Sequence, residues 1–215
     1  MSIYTKDIEN KDILYDPKIN YQVMMQWEKP YMEALIKKLS PYGDVLEIGF
    51  GLGYSSNEIQ KYNINSHTII EADENVFEEL TKWSKKQNSK VNLVKGYWQD
   101  TLKYLGKFDS IFFDDAPNEK FLDKKQIRVY KFVYDLLQKH VNKNARMTWF
   151  SDINLTWLCH PSTNFSIESM DLNIPKHCEY IKDNKVYLPL LIFKEGVVKN
   201  INRLALTKNM EIINI

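Results

Sequence analysis

A chain of 215 residues, 44% hydrophobic and 27% charged, has the composition of a soluble globular protein of one domain. Its 29 Lys and Arg against 28 Asp and Glu leave a net charge of +1, which excludes the basic footprint of a nucleic-acid or anionic-membrane binder. No apolar run approaches the ~20 residues that span a bilayer, and residues 1–10 lack the apolar core of a signal peptide, so a cytoplasmic location is expected.

Residues 1–20 show no clear period and read as an arm. Val23, Met24, Trp27, Tyr31, Leu35 and Leu39 recur at three- and four-residue intervals, which predicts a helix over 21–39, kinked or split at Pro30. Pro41-Tyr42-Gly43 signals a turn. A buried strand over 45–49 comes next, then a helix over 52–61, a strand over 67–71, a helix over 75–86 and a strand over 91–95. The near-continuous apolar run 108–113 suits a central parallel strand covered on both faces. A long amphipathic helix over 120–140 leads to a strand over 147–150. The strand over 186–194 is interrupted by Pro189 and should lie at an edge or carry a bulge. Residues 204–207 and 211–215 read as a closing strand or hairpin partner. Strands alternating with helices predict an α/β fold, a doubly wound and mostly parallel sheet. The expected organisation is one domain over 1–215, with residues 1–40 as an arm and helix covering the active site. Ligands of such a sheet sit beyond the carboxyl ends of its strands.

The two cysteines each have a histidine neighbour, Cys159-His160 and His177-Cys178. Adjacent ligands fit a tetrahedral site poorly and no CxxC spacing is present, so reduced thiols and no metal are expected. His67 and His140 stand alone and read as surface or helix-end residues. Lys82-Trp83-Ser84-Lys85-Lys86 reads as a solvated helix end.

The chemistry concentrates in Val45-Leu46-Glu47-Ile48-Gly49-Phe50-Gly51-Leu52-Gly53 and in Ile69-Ile70-Glu71. Gly49, Gly51 and Gly53 allow positive φ and close backbone approach to a ligand. The G-x-G-x-G spacing departs from the dinucleotide fingerprint G-x-G-x-x-G, and no lysine is placed after it to grip phosphate. Glu71 lies 22 residues after Gly49, where a strand-end carboxylate accepts ribose hydroxyls. Glu47 adds an acceptor near a cationic ligand. Trp98 and Gln99 come after the third strand of the alternating series, where an indole and an amide can meet adenine. A ribose-bearing cationic cofactor without pyrophosphate fits better than a dinucleotide, and S-adenosyl-L-methionine has these properties.

The segment Met24-Met25-Gln26-Trp27-Glu28-Lys29-Pro30-Tyr31-Met32 resembles the M-x-x-W-E-x-P-Y-M motif of guanidinoacetate N-methyltransferases. The resemblance continues through the glycine block, Ile69-Ile70-Glu71, Val76-Phe77, Lys95-Gly96-Tyr97-Trp98 and Phe108-Asp109-Ser110-Ile111-Phe112-Phe113-Asp114, covering roughly residues 21 to 150. A thinner echo lies at Cys178-Glu179-Tyr180. Protein δ-N-arginine methyltransferases share part of the pattern. The resemblance implies a seven-stranded class I methyltransferase sheet with an N-terminal helical arm, and S-adenosylmethionine as cofactor. By position, Met24 and Met32 would border cofactor and substrate, and Phe50, Gly51, Leu52 and Gly53 would line the methionine moiety. Glu71, with Ala72 and Asp73 after it, would hold the ribose, while Trp98 and Gln99 would face adenine. Glu28 and Asp114 would clamp a guanidinium, with Asp114 the general base beside the cofactor. Backbone amides near Asp152 and Ile153 would meet a substrate carboxylate.

Three departures stand out. Gln99 replaces a glutamate, Asp115 replaces a threonine, and Val141-Asn142-Lys143-Asn144-Ala145-Arg146 replaces a glycine-rich turn. An extra acid at 115 points toward a larger or more cationic substrate than guanidinoacetate. The first expectation is a small-molecule guanidine N-methyltransferase. The alternatives are a methyltransferase for arginine, another guanidine or an amine, and a non-catalytic cofactor-binding partner protein. Oligomeric state is not readable from the sequence.

Overall fold

The computed structural model describes residues 1–116, 125–154, 162–181 and 183–198. The chain opens with three strands, β1 (Ile3–Lys6), β2 (Asp12–Asp16) and β3 (Tyr21–Met25), paired antiparallel in a small sheet. The predicted arm over 1–20 and the first turn of the predicted helix are therefore strands. The apolar residues of 21–25 fit either period, and the pairing of Leu14 with Met24 and Ile13 with Met25 decides it. A 3₁₀ turn over Gln26–Glu28 leads to helix α1 (Lys29–Leu39). Pro30 sits in the first helical turn, where its missing N–H has no partner to lose, so the helix starts there instead of kinking. Ser40, left-handed at φ 48°, ends it.

Next in the chain are β4 (Gly43–Ile48), α2 (Tyr54–Ile59), β5 (Ile64–Glu71), α3 (Glu74–Ser84), β6 (Lys90–Lys95), α4 (Trp98–Thr101), β7 (Phe108–Phe113), α5 (Lys125–Asp135), β8 (Val141–Trp149), β9 (Thr163–Asp171) and β10 (Lys185–Phe193). Seven strands form one sheet in the order β6-β5-β4-β7-β8-β10-β9. The first five are parallel, and β10 pairs antiparallel with both β8 and β9. Alternate residues of β4 feed two cores. Leu46 and Ile48 join Ile111, Phe113, Phe132 and Trp149 on the α5 face. Val45 joins Leu35, Ile36, Ile69 and Leu80 on the α1 and α3 face. No helix among the described residues is long and apolar enough to cross a membrane.

Several expectations are corrected. The strand with Pro189 is not at an edge, because β9 lies outside it. The proline is accommodated because pairing with β8 is interrupted there: Tyr187 bridges Ser151, pairing resumes at Leu191, and the Thr148 hydroxyl donates to the Pro189 carbonyl at 2.6 Å. Strand β8 begins at Val141, with Asn144 at φ 64° absorbing a register shift against β7. His67 is buried in β5, its Nε2 2.9 Å from Glu47 Oε2 but off the angle of a hydrogen bond. His140 is buried too, its Nδ1 3.0 Å from the Gly106 carbonyl oxygen. Residues 120–124, Cys159 with His160, and the strands expected over 204–207 and 211–215 lie outside the described residues.

Candidate active site

The parallel strands end together, and the segments just beyond those ends build the site. Gly49 after β4 has φ 84°, and a Cβ there would lie 2.3 Å from the Asp114 carbonyl oxygen after β7. Only a glycine lets these two strand ends approach so closely. A cavity of about 780 Å³ opens above them, within the size range of small-molecule sites. Its walls include Met24, Glu28, Phe50, Gly51, Glu71, Ala72, Asp73, Trp98, Gln99, Asp114 and Asp152, each of them singled out in the sequence. Residues of the small N-terminal sheet, among them Leu14, Tyr21 and Val23, close one side.

One half of the cavity presents acceptors. Glu71, 9% exposed, takes the Phe50 N–H on Oε2 at 2.9 Å and the Asp73 N–H on Oε1 at 2.7 Å. Burial raises its pKa above the ordinary carboxylate value, opposed by these backbone donors. Asp73 caps α3 through Asn75 and Val76, and its other oxygen takes the Ser2 N–H at 2.7 Å. Trp98 packs edge-on against Phe113 and Phe132 and donates Nε1 to Asp115 at 3.2 Å. The Oε1 of Gln99 is buried with no hydrogen-bond partner among the described residues. A buried acceptor left unmatched in a cavity wall calls for a donor from a ligand. Adenine's exocyclic amine and ribose hydroxyls are such donors, so this half fits S-adenosylmethionine.

The other half is acidic. Glu28, 2% exposed, closes the 3₁₀ turn; its Oε1 accepts the Met25 N–H at 2.8 Å and the Tyr180 hydroxyl at 2.6 Å. Burial, and then the Glu28 charge, push the Tyr180 pKa well up, so the phenol stays a donor. Asp114, half-buried, is anchored by its N–H to the Ile48 carbonyl at 3.0 Å. Burial pushes the Tyr21 pKa up to about 12; Arg128 opposes the rise while Asp114 and Glu28 add to it, so all three charges act on one ring. The Tyr31 hydroxyl accepts the Ser151 N–H at 2.9 Å and donates to the Tyr187 carbonyl, which ties α1 to the ends of β8 and β10.

Five expected residues sit elsewhere. Met32 is fully buried in the core beneath α1, because its helical position faces the sheet. Leu52 and Gly53 do not line the cavity; the Leu52 N–H binds Met24 Sδ at 3.2 Å, and Gly53 starts α2 at φ 73°. Ile153 is 38% exposed, its carbonyl taken by the Ser151 hydroxyl. Glu47 is fully buried and held by the Ser55 and Ser56 hydroxyls, so it braces the turn from behind and does not face a ligand. Asp115 is not a bare extra acid either, since Arg128 Nε lies 3.0 Å from both its carboxylate oxygens. His177 Nε2 is 2.9 Å from an Asp7 carboxylate oxygen and Cys178 is a buried thiol.

Tyr21, Arg128 and Tyr180 also line the cavity; the sequence did not single out Tyr21 or Arg128, and it marked Tyr180 only within the thinner echo of the family. Arg128 carried a usable signal. With Phe132 and Leu136 it occupies i, i+4 and i+8 of one helical face, and all three are buried.

The sheet order, the glycine turn ending β4 and the acid ending β5 are together the arrangement of class I methyltransferases. Solved structures agree on the fold. An O-methyltransferase from Bacillus cereus in complex with SAH matches at TM-score 0.54 and 13% identity, covering 80% of this chain and 82% of that one. TYW2 from M. jannaschii in complex with AdoMet matches at TM-score 0.56 and 12% identity, covering 91% and 87%. By sequence the chain belongs to the guanidinoacetate N-methyltransferase family, whose profile matches residues 6–159. It is 30% identical over 166 residues to protein arginine N-methyltransferase 2 of Candida glabrata, 74% of this chain and 39% of that protein. The Kluyveromyces lactis protein of the same name is 28% identical over 192 residues, 85% of this chain and 46% of that protein. The chain thus spans less than half the length of the curated relatives it matches.

Proposed function

We propose that this chain is an S-adenosylmethionine-dependent N-methyltransferase whose acceptor is a guanidino group held between Glu28 and Asp114. The observation that carries the reading is the meeting of these two carboxylates in one cavity, beside a half lined by Glu71, Trp98 and the unmatched Gln99 oxygen.

S-adenosylmethionine supplies a methyl group on a sulfonium, so donor and acceptor are both cations. A guanidinium also has no available lone pair, and its pKa exceeds ~12. A carboxylate near pKa 4 that removed the proton in a separate step would face about 8 units, roughly 11 kcal/mol. Proton loss is therefore coupled to methyl transfer. Two carboxylates answer both difficulties, since a planar fork paired on two sides is oriented while its charge is offset. Glu28 suits the orienting role, because the Met25 N–H and the Tyr180 hydroxyl fix its carboxylate. Asp114, just past the β7 strand end, suits the role of base.

The match to the guanidinoacetate N-methyltransferase profile supports a small guanidine of the guanidinoacetate kind as acceptor. A second reading, an arginine side chain of a protein, is favoured by 30% identity to a protein arginine N-methyltransferase over 74% of the chain. Labelled S-adenosylmethionine offered with guanidinoacetate, other guanidines, amines and an arginine-rich protein tells them apart by where the label lands. Label on an amine alone, or cofactor binding with no label anywhere, overturns the guanidine reading. Asp114→Asn should abolish turnover with cofactor Kd changed less than about threefold; turnover retained by that variant removes Asp114 as the base.

A further inference from the structure

On the reading above, the cavity receives a guanidinium at Glu28 and Asp114. The protein places one of its own in the same cavity. Arg128, 3% exposed on α5, lines the wall together with both acids. A tethered group competes with a diffusing one at an effective concentration on the order of millimolar. Held loosely, Arg128 would enter the clamp ahead of an acceptor.

Asp115 prevents this by position. Its carboxylate takes Arg128 Nε at 3.0 Å on each oxygen, and its backbone carbonyl takes Nη2 at 3.5 Å. The same carboxylate takes the Trp98 indole N–H at 3.2 Å, a second anchor beside the arginine. Asp115 comes directly after Asp114, so the Arg128 guanidinium meets a carboxylate one residue from the base.

We propose that Asp115 is a positioning residue that keeps the guanidinium of Arg128 out of the acceptor clamp. The inference rests on the proposed guanidine-methylating function of the site. It gives the acid at 115 a role opposite to the one its sequence position implied: it answers an internal cation and does not enlarge the substrate's charge.

The test is a paired substitution read in the acceptor KM. Asp115→Asn keeps the size and an oxygen for Trp98 but removes the anion. Acceptor KM should rise about tenfold or more, with kcat at saturating acceptor near wild type and S-adenosylhomocysteine Kd changed less than about threefold. Adding Arg128→Met removes the competitor and should return KM to within about threefold of wild type. Arg128→Gln in the same background serves if the methionine variant does not fold. A double variant as impaired as D115N overturns the inference, because Asp115 would then touch the acceptor or merely support the fold. An unchanged KM in D115N overturns it equally. A wild-type chain that methylates no guanidine overturns the functional reading instead, and is recognised before any variant is made.

Discussion

At Glu71 the electrostatics of one residue set a pH dependence. Its carboxylate is buried at the end of β5 with a backbone N–H on each oxygen. Burial outweighs those donors and lifts its pKa above the ordinary 4.5. The folded protein therefore holds this proton more tightly than the unfolded chain does. Its contribution to stability falls as pH rises from 4.5 through the raised folded value, and above that value the ionised group is a standing cost. Hydroxyl donors from a ribose offset that cost, because they favour the charged form. Cofactor binding should then weaken as pH is lowered through the folded pKa. Calorimetric titration with S-adenosylhomocysteine from about pH 8 to about pH 5 should give a flat affinity near the top and a decline centred above 4.5. Glu71→Gln should flatten the profile and weaken binding about tenfold or more, the loss expected for a hydrogen bond to a charged group. A wild-type profile without the decline would remove Glu71 from the binding site.

Among the elements, the turn between β4 and α2 is where backbone geometry and chemistry are least separable. Gly49 and Gly51 both have positive φ, but a side chain at each would meet a different obstacle. At 49 a Cβ would strike the Asp114 carbonyl oxygen at 2.3 Å, which is backbone and cannot swing aside. At 51 it would meet Met24 Sδ at 2.6 Å, the far end of a flexible chain. Positive φ alone costs an alanine about 1–2 kcal/mol. Gly51→Ala should stay near that figure, while Gly49→Ala should exceed it and abolish turnover by displacing Asp114; urea denaturation and an activity assay check both. Equal costs at the two sites would mean that β4 and β7 can part without penalty. This turn was legible in the sequence because its constraint is local: three glycines, an apolar run before them and an acid at the next strand end. The parallel strands were legible for the same reason, their buried runs being continuous. The N-terminal strands were not, since residues 21–27 satisfy a helical period and only their pairing with β2 rejects it. The contact of Tyr180 with Glu28 joins residues 152 apart in sequence, and no spacing encodes it. Glu47 departs from its expected ligand-facing role because a strand residue's face depends on the neighbouring helix, here the Ser55 and Ser56 hydroxyls of α2.

In the whole molecule, stability and closure of the site are carried by different parts. The two cores draw on β2 and β3 through Ile13, Leu14, Met24 and Met25, and on no residue of β1. All four residues of β1 are exposed. The strand and its flank nevertheless reach the site: Ser2 N–H donates to Asp73 at 2.7 Å, and the Tyr4 hydroxyl of β1 donates to the Gly51 carbonyl at 3.0 Å. Removing residues 1–6 should therefore leave the melting temperature of the ligand-free protein within a few degrees of the full chain, since about 1 kcal/mol shifts a domain of this size by about 2–4 °C. Affinity for S-adenosylhomocysteine should drop about tenfold, as one net hydrogen bond's worth of closure is lost. At a ligand concentration about 100 times the full chain's Kd, stabilisation by binding should shrink from about 2.7 to about 1.4 kcal/mol. Thermal shift measured on both chains reads the two effects separately, because ligand-free melting reports the core and the ligand-induced increment reports the site. Equal increments in the two chains would show that β1 is no part of the closure. A collapse of the ligand-free melting temperature would show instead that the small sheet supports the core despite its exposure.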